Sequence, residues 1–298
     1  MIDIDDDTLA AALGAWDLGA GVSVRRYGRG MNSTTWLVTT DAGDWVAKAA
    51  PATVTAQFDA GLAAAAQLDA AGVPAGAPLL TTAGAFSVAL AGARLALLRF
   101  TDGREIDPTR PDERRDWGAT LGRAHGILRA GAPLRGAQGW HWVDADAPHL
   151  AVEPWVRPVV RAAVDELDDV QRRVPLTRGV LHADPAPEAF LVDPHDQGRV
   201  ALIDWSSVTV GPLLYDVASA RMYAGDEAAF SDVRDGYLDV VPILAAEMAV
   251  LPTFVRFRWA VQADYFARRI RDHDLTGIDD ASGNADGLAD ARRHLVGR

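Results

Sequence analysis

Residues 180–193 read VLHADPAPEAFLVD, and residues 200–205 read VALIDW. The apolar runs at 190–192 and 200–203 flank the turn-forming residues 194–198, a pattern typical of a β-hairpin. One carboxylate, Asp184, precedes the hairpin, and another, Asp204, follows it. Because a hairpin returns its ends to one edge, the pattern predicts that these carboxylates lie close together. Such a pair can bind magnesium and provide a general base; a surface hairpin with two solvated aspartates is the alternative.

The composition limits the class of protein. With 298 residues, 49% of them hydrophobic, the chain is long enough for one large globular domain or two lobes. The net charge of −12 argues against a nucleic-acid partner, and it permits a cationic small-molecule substrate. The absence of cysteine excludes disulfides, cysteine metal sites and a thiol nucleophile.

The sequence also bears on location. The first residues, MIDIDDD, are acidic and do not form the basic start of a signal peptide. No apolar run approaches the ~20 residues that span a bilayer. We therefore expect a cytoplasmic protein without a membrane partner. The sequence does not predict the oligomeric state.

The basic residues are distributed unevenly between the two types. Lysine and arginine together number 29, and Lys48 alone is a lysine. It ends the third of three predicted strands, 21–27, 34–40 and 45–48, and the polar loop 28–33 joins the first two. A glycine-containing loop can cover phosphates with its backbone N–H groups, and a lysine on the third strand can reach them. An ordinary turn and a lysine retained by chance are the alternatives.

Beyond these strands the pattern becomes helical. Helices are predicted over 8–17 with Thr8 as a cap, over 55–71, 112–130 and 158–173, and over 254–271. The buried strand 94–100 ends at a break that we interpret as a hinge. The sequence thus predicts an α+β fold of two lobes, 1–101 and 102–298, the first rich in β-strands and the second mainly helical. His125, on the apolar face of its helix, is predicted to be a half-buried packing residue.

Three further motifs lie in order along the second part of the chain: HAD at 182–184, IDW at 203–205 and GPLLYD at 211–216. With Lys48 they resemble the motifs of the aminoglycoside phosphotransferase and choline kinase-like small-molecule kinases, whose fold is protein-kinase-like. The resemblance covers nearly the whole chain. It implies a nucleotide-binding first lobe, and a second lobe with the catalytic loop and the substrate site.

The resemblance also implies roles for individual residues. Asp184 would be the catalytic base or the residue that orients the hydroxyl, Asp204 a Mg²⁺ ligand, and Asp216 a structural residue that holds the catalytic loop. ATP would be the nucleotide, although GTP is not distinguished. The residues implied to bind it are Lys48, Gly30, Asn32 and Ser33 at the phosphates, and Arg99 and Phe100 at the adenine.

The chain departs from the family pattern at three positions. Ala189 stands where the family has an asparagine that binds a second magnesium ion, and Ala183 replaces a glycine. The neighbouring Glu188 is either a substitute metal ligand or merely an exposed residue. The helix glutamate that pairs with the family's lysine falls near Gly61, so we expect that ion pair to be lost.

Three functions are consistent with these residues. The first is an ATP-dependent phosphotransferase acting on a hydroxyl of a small, amine-bearing metabolite or antibiotic. The alternative from a different class is a catalytically impaired pseudokinase that binds nucleotide without turnover. A metal-dependent hydrolase would instead use His182, Asp184, His195 and Asp204.

Overall fold

The computed structural model describes residues 4–29, 33–90, 92–196, 198–241, 243 and 245–297. They fall into two compact units, each built from several chain segments. The first unit comprises Met1–Ile106, Gly126–Gln138 and Glu188–Val208; the second comprises Asp107–His125, Gly139–Pro187 and Thr209–Arg298. The predicted α+β class is confirmed. The lobe boundary near residue 101 stays a prediction.

The described residues form nine α-helices and eleven strands. The α-helices are α1 Asp6–Leu13, α2 Thr55–Ala70, α3 Pro111–Ala130, α4 Val156–Arg173, α5 Leu214–Ala224, α6 Glu227–Leu238, α7 Ala245–Ala249, α8 Leu251–Arg271 and α9 Ser282–Leu295. The strands are β1 Ser23–Arg29, β2 Thr34–Thr40, β3 Gly43–Pro51, β4 Ser87–Leu90, β5 Ala93–Arg99, β6 Arg104–Glu105, β7 Gln138–Gly139, β8 Arg178–Leu181, β9 Phe190–Val192, β10 Val200–Leu202 and β11 Thr209–Pro212.

The first unit is built on a five-stranded antiparallel sheet with strand order β1-β2-β3-β5-β4. Successive side chains of a strand point to opposite faces. In β3, Ala47 and Ala49 pack on the side of α1, whereas Ala50 packs with Phe58 of α2. Lys48 has the same parity as Ala50. The alternation of β3 therefore directs the lysine to the face that α2 covers.

The start of α1 corrects one sequence prediction. The helix begins at Asp6 rather than at residue 8, and Asp5 is its N-cap. The Asp5 carboxylate accepts a hydrogen bond from the backbone N–H of Thr8, at 2.7 Å. A carboxylate placed there satisfies an N–H group that the first turn leaves without a partner, so the prediction of Thr8 as the cap is wrong.

The predicted hairpin is present in the first unit. β9 and β10 pair antiparallel, with Val200 opposite Val192, and β6 pairs with the other edge of β9. The backbone N–H of Ile203 donates to the carbonyl of Ala189 at 2.9 Å, which extends the pairing beyond the strands. Asp204 follows at once. Asp184 belongs to the second unit, so the predicted closeness of the two carboxylates stays a prediction.

The second unit is mainly helical, with α8 packed against α4, α5 and α9. Fully buried aromatic side chains of α8, Phe254 and Phe257, lie beside Tyr215 of α5 and Trp140. β8 pairs with β11, and Leu181 at the end of β8 lies opposite Thr209. Among the helices that the structure describes, none is long and apolar enough to cross a bilayer. A cytoplasmic location stays a prediction.

Candidate active site

Lys48 and Asp204 form an ion pair in the first unit. The Lys48 Nζ atom lies 2.6 Å from Asp204 Oδ1. The lysine side chain is 9% exposed, whereas that of Asp204 is 56% exposed. The hydroxyl of Ser206 also donates to Asp204 Oδ1. A buried ammonium thus faces a carboxylate that remains open to solvent.

The backbone places Asp204 in an unusual conformation. Its φ and ψ angles are 64° and 58°, in the left-handed region that non-glycine residues seldom adopt. The 3₁₀ turn Trp205–Ser207 follows immediately. Such strained residues persist only where the surrounding structure holds them, and they concentrate at functional sites.

Gly61 explains how α2 approaches this turn. A Cβ atom built at Gly61 would lie 2.2 Å from the carbonyl oxygen of Trp205, so no larger residue fits without a shift of backbone. The nearby Asp59 accepts hydrogen bonds from Ser87 and Arg94 instead. The family's helix glutamate is therefore absent, as expected. The expected loss of the ion pair between that glutamate and the lysine follows, and Lys48 pairs with Asp204 instead.

A largely apolar pocket of about 210 Å³ lies within the first unit. Lys48 and Asp204 line it, together with the predicted cofactor residues Arg99 and Phe100. Its apolar lining comes from β-strands, α2 and the hairpin: Val46, Phe58, Leu62, Ala65, Ala75, Leu98, Leu191 and Ile203.

Two backbone N–H groups at the predicted hinge already have hydrogen-bond acceptors. The N–H of Arg99 donates to Ala77 O at 2.9 Å, and that of Phe100 donates to Asp44 O at 3.3 Å. A base in this pocket would have to bond to carbonyl groups or to other N–H groups of the segment. Of the predicted loop residues, Gly30 and Asn32 lie outside the described residues. Ser33 is described, and it is not among the residues that line the pocket as described.

The HAD motif is held by a buried acid in the second unit. Asp216 is fully buried and accepts the backbone N–H groups of His182, at 2.7 Å, and Ala183, at 2.9 Å. Ala183 has a φ of 71°, the left-handed conformation for which the family's glycine is suited. This geometry turns the chain so that the Asp184 side chain is exposed. The structural contact that the resemblance implied for Asp216 is present.

His125 has a more specific environment than the sequence suggested. It is fully buried rather than half-buried, with Nε2 3.0 Å from Asp216 Oδ2 and Nδ1 2.9 Å from Tyr237 Oη. Since an ionised carboxylate only accepts, Nε2 donates to Asp216, and in the neutral imidazole Nδ1 would accept from the tyrosine. His125 therefore links α3 to the acid that holds the HAD motif.

Two residues that sequence reasoning missed contact Asp184. Tyr223 Oη donates to Asp184 Oδ1 at 2.5 Å, and Arg258 Nη2 donates to the same atom at 2.9 Å. Arg258 also donates from Nε to Ser219 Oγ at 3.2 Å. The i, i+4 spacing of positions 219 and 223 puts both on one face of α5, but no pattern in the sequence joins that face to α8.

The neighbouring Tyr215 belongs to a cluster of aromatic rings. Its ring contacts Trp140, Trp142 and Phe257. Burial, opposed by the charge of Arg258, raises the pKa of the Tyr215 phenol well above its usual value. Tyr215 is therefore neutral across the physiological pH range.

The acidic residues suit a magnesium ion that arrives with phosphates. Glu188 is exposed in the turn Pro187–Ala189, and Ala189 is buried. In the part of the chain that the structure describes, no group of three or more His, Cys, Asp or Glu residues could hold a metal. Magnesium is commonly bound by one or two carboxylates plus substrate phosphates, so Asp204, with or without Glu188, fits this ion.

Comparison with known proteins now identifies the family. Residues 23–248 match the phosphotransferase enzyme family. The chain belongs to this family. The predicted resemblance is confirmed, and the match spans both the segment with Lys48 and all three downstream motifs.

Similar sequences and structures agree with this membership. A homoserine kinase of Caulobacter sp. strain K31 is 26% identical, over 92% of this chain and 88% of that protein. One of Acidiphilium cryptum strain JF-5 is 30% identical, over 85% and 83%. An amicoumacin kinase solved with AMP-PNP and Ca²⁺ covers 98% of this chain and 93% of its own, with a TM-score of 0.76 at 17% identity. This structural likeness shows the fold.

The phosphotransferase is a small-molecule kinase that transfers a phosphoryl group to a hydroxyl acceptor. The predicted reaction class is thus confirmed. The impaired pseudokinase alternative, which drew on Ala189 and Gly61, finds no support among these relatives.

Proposed function

We propose that this kinase uses Mg²⁺ and ATP to phosphorylate a hydroxyl group of a small, amine-bearing metabolite, with Asp184 as the catalytic residue. The observation that carries the proposal is the Lys48–Asp204 pair in an apolar pocket. A buried cation beside an open carboxylate provides one group for phosphates and one for a metal.

Each group of the first unit has a task at the nucleotide. Lys48 binds phosphate oxygens, and the apolar lining with Arg99 and Phe100 receives the base. Asp204 holds Mg²⁺, and Glu188 is the candidate for a second carboxylate. When bound, the ion would neutralise charge on the phosphates. That Gly30, Asn32 and Ser33 cover the phosphates stays a prediction from the sequence.

Asp184 binds the hydroxyl group of the acceptor. Its half-exposed carboxylate accepts the hydrogen bond of the attacking hydroxyl and takes its proton as the phosphoryl group transfers. The fixed HAD turn, with Asp216 bound to two consecutive N–H groups, keeps this carboxylate in place. In phosphoryl transfer the protein contributes mainly by positioning the reacting groups. Orientation of the hydroxyl by Asp184 therefore lowers the barrier.

The acceptor is proposed from the relatives. The two curated relatives described above are named homoserine kinases. Homoserine carries both an amine and a primary hydroxyl, and it is small enough to be an acceptor of the predicted class. The net charge of −12 would favour a cationic amine, but homoserine also carries a carboxylate and is a zwitterion, so the choice of acceptor rests on the relatives. A hydroxy amino acid is therefore the first acceptor to test.

The direct test is turnover of Mg-ATP with homoserine, choline, amino sugars and aminoglycosides, monitored by ADP release and by ³¹P NMR of the product. We expect one acceptor class to be phosphorylated. Asp184→Asn should lower kcat by ~10²- to 10⁴-fold, the range typical of acid–base groups. Asp239→Asn is the matched control, because Asp239 is an exposed acid paired with Arg115 at 2.6 Å. Full activity of Asp184→Asn would refute the assigned role.

A further inference from the structure

We propose that Arg258 and Tyr223 are positioning residues for Asp184, holding one carboxylate oxygen so that the other receives the acceptor hydroxyl. This inference rests on the proposed role of Asp184. It concerns a group of three side chains, Asp184, Tyr223 and Arg258, which we name the aspartate clamp. Its members come from the HAD loop, α5 and α8, and all belong to the second unit.

The hydrogen bonds of the clamp meet at one atom. Tyr223 Oη and Arg258 Nη2 lie 2.5 Å and 2.9 Å from Asp184 Oδ1, and 3.0 Å from each other. Neither bond is made to Oδ2, and among the described residues these two donate to the Asp184 carboxylate, whereas the backbone N–H of Ala186 donates to the Asp184 carbonyl at 2.9 Å. A rotation of the carboxylate would break both bonds. Oδ2 therefore keeps a fixed direction and remains available to an incoming hydroxyl.

Further contacts with α5 hold the Arg258 side chain of the clamp in place. Arg258 is 9% exposed, and its Nε donates to Ser219 Oγ, which in turn donates to the carbonyl of Tyr215 at 3.1 Å. The Arg258 guanidinium also lies over the Tyr223 ring, 5.6 Å from its centroid. A planar guanidinium bound at two edges has little freedom to turn. Contacts from α5 and α8 thus fix the position of Asp184 Oδ1 in the catalytic loop.

Stability alone gives a weak reason for this arrangement. Removing a guanidinium from water is costly, and the partner that it gains, Asp184, is 52% exposed and would be well solvated without it. A pair between a buried cation and an open carboxylate returns little net stability. What the pair does provide is a single orientation of the carboxylate.

Phosphoryl transfer at the clamp forms one bond to phosphorus and breaks another. The acceptor hydroxyl donates its hydrogen bond to Asp184 Oδ2. As its oxygen forms a bond to the γ-phosphorus of ATP, the bond from that phosphorus to the β–γ bridging oxygen breaks. The electron pair of that bond leaves on ADP, and the hydroxyl proton passes to Oδ2. Arg258 and Tyr223 stay bound to Oδ1 throughout and touch neither reactant.

A direct acceptor-binding role for Arg258 is the competing interpretation. Its guanidinium could bind a carboxylate on the acceptor and so determine specificity. The charge of Arg258 is, however, already balanced by Asp184, and both Nε and Nη2 are engaged. Positioning predicts a loss in the catalytic step for every acceptor. Anion binding predicts a loss of affinity only for acceptors that carry a carboxylate.

The test compares Tyr223→Phe, Arg258→Lys and Arg258→Met in steady-state kinetics. It uses two acceptors that the wild-type enzyme phosphorylates, one with a carboxylate and one without. We expect Arg258→Met to lower kcat by ~10²-fold, the effect of displacing a catalytic group by about 1 Å. Arg258→Lys should restore part of that loss, and Tyr223→Phe should cause a smaller one. The KM for the acceptor should change little, because an interaction made in the transition state is removed.

Matched controls come from α8. Tyr265→Phe removes a hydroxyl that lies 3.3 Å from another arginine, Arg269, and Arg256→Met removes an exposed arginine whose Nε is 3.7 Å from Glu166. Both controls should keep wild-type kcat. If Arg258→Met fails to fold by circular dichroism, Tyr223→Phe and Arg258→Lys decide the question.

The outcomes are distinct. A wild type that phosphorylates no acceptor defeats the proposed function, and the clamp with it. An active wild type whose Tyr223 and Arg258 variants keep full kcat overturns the clamp and leaves the proposed function standing. A raised KM that is confined to the carboxylated acceptor, with kcat unchanged, also overturns the clamp and assigns Arg258 to the acceptor.

Discussion

An ion pair at the candidate site in each compact unit joins a buried cation to an exposed carboxylate. In the first unit Lys48 and Asp204 are 2.6 Å apart, and in the second Arg258 and Asp184 are 2.9 Å apart. Both cations are 9% exposed, and the acids are 56% and 52% exposed. In each case a buried cation presents a carboxylate to solvent.

The two pairs differ in how firmly the cation is held. Lys48 is a compact charge on a flexible stem, and besides Asp204 its recorded contact is the hydroxyl of Ser206 at 3.5 Å. Arg258 is a planar group fixed by Ser219 and Tyr223. The difference indicates a cation that can exchange its partner in the first unit and a fixed one in the second. Under the proposed function, Lys48 would turn to phosphates when Asp204 binds a metal, whereas Arg258 would keep its partner.

The largest expected effect separates the two acids by their dependence on magnesium. Asp204→Asn should reduce kcat by roughly 10³-fold at ordinary Mg²⁺, and added Mg²⁺ should recover part of it, because a metal ligand is weakened. Asp184→Asn should lose activity without such recovery. The measurement is kcat against Mg²⁺ concentration.

Asp193→Asn is the control for this experiment, since Asp193 lies on the same hairpin and accepts from the backbone N–H of His195 at 2.8 Å. That hydrogen bond is the main reason why the pKa of Asp193 lies below its usual value. An identical Mg²⁺ response of Asp184→Asn and Asp204→Asn would remove the distinction between the pairs.

The second-largest effect is expected when Lys48 is replaced by the other basic residue, arginine. Lys48→Arg keeps the charge and brings a longer, planar group to a position beside the close approach of Gly61 to Trp205. We expect kcat/KM for ATP to fall by ~10²-fold, as for a misplaced positioning group. The assay is ATP titration at saturating acceptor. A fully active Lys48→Arg enzyme would show that the pocket does not require a compact, exchangeable ammonium.

A third prediction concerns the support beneath Asp184. Asp216→Asn replaces an acceptor of two backbone N–H bonds by a group with one oxygen, and it removes the acceptor of His125. We expect the free energy of unfolding to fall by ~2–4 kcal/mol, since bonds to a buried charged group are lost. Urea denaturation measures it, with Asp239→Asn as an exposed control. A change below that of the control would mean that Asp216 does not support the loop.

The smallest expected effect probes the close packing beneath Asp204. Gly61→Ala adds a Cβ atom 2.2 Å from Trp205 O and should destabilise the protein by ~1–3 kcal/mol through overpacking. Gly126→Ala is a matched helical control with nothing within 4 Å of the new atom, and it should stabilise the protein by up to ~1 kcal/mol. Thermal unfolding of both variants gives the comparison. Equal effects would refute the close approach of α2.

Sequence patterns were sufficient for the elements with a strong local signal. The alternation in β2 and β3, the hairpin at β9 and β10, and the apolar face of α3 with Trp117, Leu121 and His125 are all present. In these segments periodicity and turn residues act over a few positions, so the chain itself carries the information.

The aspartate clamp could not be predicted in the same way. Asp184 and Arg258 are 74 residues apart, and their contact depends on the packing of α8 against α5. The ion pair of Lys48 likewise spans 156 residues. Such partners are selected by tertiary packing rather than by local pattern. From the sequence, Gly61 indicates only the loss of an acid, whereas the structure shows a contact that only a residue without a side chain allows.

The single lysine makes β3 accessible to a simple proteolytic measurement. A lysine-specific protease has one target in these 298 residues, the peptide bond after Lys48. That bond lies in the middle strand of the five-stranded sheet, paired on both sides by β2 and β5. Cleavage therefore requires the sheet to open, and each cut molecule yields the same two fragments. The rate of cutting reports the opening of the first unit, and a bound nucleotide should slow it.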